Sequence, residues 1–126
     1  MTALLDVNGN TVLRSLLPAG TATATANGAS VDVRDLSGVA AIVLDSAAGT
    51  GTTPTLAITI QDSPDGTTSW AAIPGAAFTQ VAGTASQQKI PVNVNACRGF
   101  LRAVETLGGT TPSFVRSVTL LSRAEL

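Results

Sequence analysis

Along much of this chain, apolar and polar residues alternate with a period of two. In SVDVRDL (Ser30–Leu36), Val31 and Val33 fall on one face and Asp32 and Arg34 on the other, the spacing of a half-buried strand. TLAITIQD repeats it, with Leu56, Ile58 and Ile60 inward and Thr59 and Gln61 outward. QQKIPVNVN places Ile90, Val92 and Val94 together. Pro91 has no N–H to donate, which predicts an edge strand or a strand start there. GVAAIVLDS (Gly38–Ser46) is apolar nearly throughout, as in a strand covered on both faces.

The remaining elements follow from punctuation. TVLRSLLP (Thr11–Pro18) reads as a first strand, and TSWAAIPG and AAFTQVAG as two short ones. RGFLRAVETL and SFVRSVTLLS read as two closing strands separated by a turn, GGTTP (Gly108–Pro112), while AAGTGTTP (Ala47–Pro54) reads as a loop. Gly and Pro recur about every ten residues, and no helical period competes. Eight or nine strands without a substantial helix predict an all-β antiparallel sandwich. Jelly-roll and immunoglobulin-like connectivity both fit. No internal repeat or linker divides the chain, so residues 1–126 read as one domain. AGTATATANGA (Ala19–Ala29) is low in complexity, and residues 1–29 read either as part of the sandwich or as an extended N-terminal arm or loop.

Composition narrows the functional classes. Of the 126 residues, 44% are hydrophobic but only 3% aromatic, so Val, Leu, Ile and Ala must build the core. Charged residues make up 12%, half the ordinary share of about 25%, and the mean hydropathy is +0.36. Such a chain either tolerates a low-charge surface or has apolar surface covered by a partner. A net charge of −1 with a single lysine, Lys89, gives no electrostatic footprint for nucleic acid or for an anionic membrane. Cys97 is alone, which excludes an internal disulfide and suggests a small buried thiol. The start MTALLDVNG lacks the pattern of a signal peptide, and no segment reaches the length of a membrane helix. Synthesis in a cytoplasm, in soluble form, is the expectation.

The chain has no histidine. That removes imidazole-activated serine or cysteine nucleophiles and nearly all zinc sites. GTGTTP has neither the lysine nor the following helix of a phosphate loop. In IQDSPDGTTSW, Asp62 and Asp65 are the one carboxylate pair worth weighing. Calcium needs 6–8 oxygens, and a glycosidase needs a cleft with aromatic platforms, of which Trp70 is the sole large one. A plain turn fits better: Asp accepts backbone N–H bonds, Pro sets φ, and Asp-Gly reverses the chain. Trp70 is then expected over the end of the sandwich. Asp32, Arg34 and Asp35 read as a solvated ion-paired face. Arg98, Arg102 and Arg116 would share one face if the last two strands are neighbours. With Trp70 and Asp65 they are the candidate interface residues. No enzyme activity, cofactor or metal is expected.

The run from Asp35 to Val81 resembles a group of small structural proteins of tailed bacteriophages and prophages. The resemblance rests on DLSG (Asp35–Gly38), on Leu56–Ser63 followed by Asp65–Thr68 and Trp70, and on IPGAAFTQV (Ile73–Val81). CRGFLRAVETL (Cys97–Leu107) is similar to a later strand of the same group. It implies a virion protein, a capsid decoration or cement protein made in the bacterial cytoplasm and carried on the capsid exterior. The implied partners are the major capsid protein and further copies of the chain, as a trimer, with no nucleic acid or membrane. A tail, neck or head-fibre-base role is the nearest alternative. A carbohydrate-binding or adhesive module is the alternative of another class.

Overall fold

A computed structural model describes residues 11–123. It contains eight strands and one short 3-10 turn, Val94–Ala96: β1 (Thr11–Ala22), β2 (Ala26–Asn27), β3 (Val31–Asp32), β4 (Val39–Ser46), β5 (Thr50–Ser63), β6 (Ala71–Ala77), β7 (Ser86–Asn93) and β8 (Phe100–Arg123). All pairings are antiparallel.

The register groups the strands into four long arms in chain order, β1–β3, β4–β5, β6–β7 and β8. β8 pairs on one side with β4 (Ile42 opposite Leu120) and then with β5 (Leu56 opposite Leu107). On its other side it pairs with β1, β2 and β3 in turn, from Thr11 opposite Arg123 to Asp32 opposite Phe100. β7 and β6 flank β4 and β5. Each arm folds over at its middle. One sheet therefore has the order β1, second half of β8, β4, β7. The facing sheet has β2 and β3, first half of β8, β5, β6. This order is the jelly roll of the two connectivities the sequence leaves open.

Strand alternation fills the space between the sheets. Ala40, Ile42 and Leu44 of β4, Leu56, Ile58 and Ile60 of β5, and Leu101, Val118 and Leu120 of β8 are each at most 1% exposed. Phe78 and Phe114 join them, while Phe100 stays half-buried. Val92 and Val94 point inward with Ile90 packed against the cluster, as the alternation predicts. Pro91 lies on the edge strand β7, and Pro74 and Pro18 lie on the edge strands β6 and β1, where a missing N–H leaves no inner ladder bond unmade.

Three expectations are corrected. The two closing strands are one 24-residue strand, β8, and GGTTP is a crook within it. GTTP in the expected Ala47–Pro54 loop is a second crook, inside β5. Gly-Thr-Thr-Pro thus occurs twice, at residues 51–54 and 109–112, and the two copies face each other across the sheet. Gly51 and Gly109 have φ of 107° and 100°, and Thr53 and Thr111 both have 47°. A Cβ on Gly109 would meet the Thr53 carbonyl oxygen at 2.5 Å, and one on Gly51 would collide with that of Thr111. Only glycine allows so close an approach in that backbone region. The third correction concerns β4, which is covered on one face only: Val39 is 64% exposed. Of residues 1–29, Thr11–Ala22 and Ala26–Asn27 form edge strands of the sandwich. Residues 1–10 of that segment lie outside the described residues.

Candidate functional site

Four of the five candidate residues converge on the corner between β5 and β6. The corner begins at Ser63, which is fully buried. Its hydroxyl donates to the Thr68 carbonyl at 2.5 Å and accepts from the Gly66 N–H at 3.0 Å. Asp65 accepts from the amides of Thr67 (3.0 Å) and Thr68 (2.8 Å) and from the Thr68 hydroxyl (2.7 Å). These donors, the Thr68 hydroxyl first, hold its carboxyl well below the usual carboxylate range. Gly66 has φ of 77°, and a Cβ there would press on Phe100 and Ser30 at 2.9 Å. The turn expected from SPDG is therefore closed by its own side chains.

Arg98 clamps this loop at both ends. Its guanidinium donates to the Asp62 carboxylate at 2.9 and 3.0 Å, to the Asp62 carbonyl at 2.7 Å and to the Ser69 carbonyl at 2.8 Å. Arg102 lies opposite Gln61 in the β5–β8 register and donates to its side-chain oxygen at 2.9 Å. Its guanidinium stacks 4.4 Å from the centre of the Trp70 ring, a cation–π contact. Trp70 thus sits on the outer face of the sheet beside Arg102, and not over the end of the sandwich.

Arg116 is elsewhere. Its guanidinium forks onto Glu105 with two 2.6 Å hydrogen bonds and donates to the Pro18 carbonyl at 3.0 Å. The two side chains are 9% and 4% exposed. Odd-numbered residues of β8 face inward before its crook (Leu101, Ala103, Glu105) and even-numbered ones after it (Phe114, Val118, Leu120). Arg102 therefore points out and Arg116 in, so the three arginines share no face.

The ion-paired face holds two pairs. Arg34 binds Asp32 at 2.8 Å and Arg14 binds Asp35 at 2.7 Å. Arg34 also lies 4.8 Å over the Phe100 ring. Cys97 is half-buried, with its Sγ 3.3 Å from the Asn93 carbonyl. Burial first, and then the Asp62 charge, push its thiol up, so it stays protonated.

Chemically, the corner holds a shape. Both carboxylates weighed for catalysis or calcium are occupied by donors from the chain itself, and no cluster of metal-ligating residues occurs among the described residues. Gln61, Ser63 and the Ser69 carbonyl were missed in the sequence. The one available signal was Gln61 and Arg102, polar outward positions on strands that turn out to be neighbours.

No protein-family model matches the sequence, and no curated protein matches it. Solved structures do match. A chain from infectious bursal disease virus, Gx strain, aligns with a TM-score of 0.55 at 16% identity over 90% of this chain. The VP2 subviral particle of the same virus gives 0.53 at 14% over 91%. This chain spans about a third (32%) of the length of each. A chain from the Bacillus endospore appendages, described as disulfide-linked pili, gives 0.54 at 19%, over 92% of this chain and 90% of that one. At such identities the likeness is one of fold, and the fold is one that viral capsid proteins use.

Proposed function

We propose that this chain is a structural protein of a tailed-phage virion, a decoration protein that binds the assembled head and holds neighbouring capsid subunits together. The reading is carried by where the phage-like residues fall. Asp35–Val81 forms the middle of a jelly roll, β4 through β6, and the Asp62, Ser63 and Asp65 side chains at the corner are spent on shape. A rigid corner of Asp65, Trp70, Arg98 and Arg102 is suited to contact. Many copies on a symmetric shell need only modest affinity each. The partner is the major capsid protein, and the place is the capsid exterior. The test is cosedimentation of the purified chain with mature shells of the phage or prophage that encodes it. Recovery with shells, but not with unassembled capsid subunits, is expected. Recovery only in the supernatant overturns the reading.

The whole-length likeness to a pilus subunit favours a second reading, a fibre subunit of tail, neck or head fibre. A disulfide-linked polymer needs two cysteines per subunit, and these 126 residues contain one. A fibre built from these residues would not be a disulfide-linked polymer, and electron microscopy of the purified chain at high concentration would reveal it.

A further inference from the structure

The three large hydrophobic side chains most exposed among the described residues are Leu13 (68%), Val39 (64%) and Val115 (55%). All three stand on the outer face of one sheet, that of β1, β8, β4 and β7. The register aligns Pro91, Ala41, Leu121 and Leu13 in one row across its four strands. The next row is Lys89, Val43, Thr119 and Ser15. At the β7 end of the first row is a hollow of about 330 Å³ lined by Val39, Ala41, Lys89 and Pro91. At the β1 end Leu13 projects. Four strands about 4.8 Å apart and eight residues at about 3.4 Å make a plane near 19 by 27 Å. That is about 500 Å² per copy, or about 1,000 Å² buried between two, at the lower bound for a specific interface.

We infer that this face is covered by a second copy of the chain, turned by a two-fold axis that runs along the strands between β4 and β8. That axis exchanges β1 with β7, so each Leu13 enters the other copy's hollow and Ala41 meets Leu121. Lys89 then faces Ser15, and Asp45 faces Ser117, so no like charges oppose. A knob and a hollow in the same row at opposite edges are the self-complementarity an isologous interface requires. Edge pairing is the competing route, and Pro18, Pro74 and Pro91 obstruct it on β1, β6 and β7. The inference stands apart from the virion role, and it departs from the trimer that the phage resemblance implies.

The experiment is sedimentation of the full chain at about 100 µM, with Leu13→Lys and Leu13→Ala. A dimer is expected, weakened at least tenfold by Leu13→Ala and abolished by Leu13→Lys, which brings an ammonium to Lys89 of the other copy. The melting temperature of Leu13→Lys serves as the folding control. A monomer at this concentration, a trimer, an oligomer indifferent to Leu13, or a dimer that forms only after residues 1–10 are deleted would each overturn the inference. Shell binding is read separately, so the two proposals fail independently.

Discussion

Glu105 and Arg116 meet where β8 folds from one sheet into the other. Both side chains are nearly buried, so removing one leaves the other's charge in the interior, at a cost of about 3–5 kcal/mol. Glu105→Ala is expected to lower the unfolding free energy in urea by about 3 kcal/mol or more. Glu105→Leu with Arg116→Met should lose less than either single change, because no lone charge remains. The exposed carboxylates govern acid behaviour. The Arg34 side chain first, then its amide, holds Asp32 down to about 2, from 3.8. Arg14 lowers Asp35, and the Thr68 hydroxyl lowers Asp65. A carboxyl with a lowered folded-state pKa stabilises while ionised. That contribution is whole above the ordinary carboxylate value and is lost as pH falls toward about 2. Without histidine, little titrates between about pH 5 and 8. Thermal melts should be level across that range and fall from about pH 4 downward, less steeply in Asp65→Asn.

The paired Gly-Thr-Thr-Pro crooks let two central strands pass from one sheet to the other side by side, with the register shifting on either side of the Thr52–Thr110 pair. Gly51→Ala or Gly109→Ala combines a left-handed backbone with a carbonyl against the new Cβ. Each should cost about 2 kcal/mol or more, against about 1 kcal/mol gained or lost at an unconstrained glycine. A change below that lower figure, measured by urea unfolding, would mean that the crook relaxes freely. Strands with one covered face were legible in the sequence because Leu56, Ile58, Ile60, Val92 and Val94 must alternate to be buried. The crooks were not, because Gly, Thr and Pro carry the same local signal in a turn as in a bent strand. Misreading them hid the shift of inward parity in β8, and with it the burial of Arg116. The corner was legible as a turn from Ser-Pro-Asp-Gly. Its clamp was not, since Asp62 and Arg98 are 36 residues apart and only the fold brings them together. The open face of β4 was misjudged because an apolar run looks the same whether its second face is covered by its own chain or by another.

At the scale of the whole molecule, nearly every pairing joins distant residues, as Thr11 with Arg123. Closing such loops before any contact rewards them makes folding slow. Stopped-flow refolding followed by Trp70 fluorescence should give time constants of milliseconds to seconds, as in other all-β domains, and a microsecond phase carrying most of the amplitude would contradict it. Trp70 suits the purpose as the only tryptophan, stacked on a residue of β8. β8 lies in the interior of both sheets and is made after the seven other described strands. A chain halted before residue 100 has its first and second arms with nothing between them, and neither sheet can close. Its apolar faces stay open to proteases and chaperones. Placing the keystone after the strands it joins thus acts as a proofreading step: a transcript broken before β8 yields debris, and only a chain read through that strand can compete for a place among its neighbours.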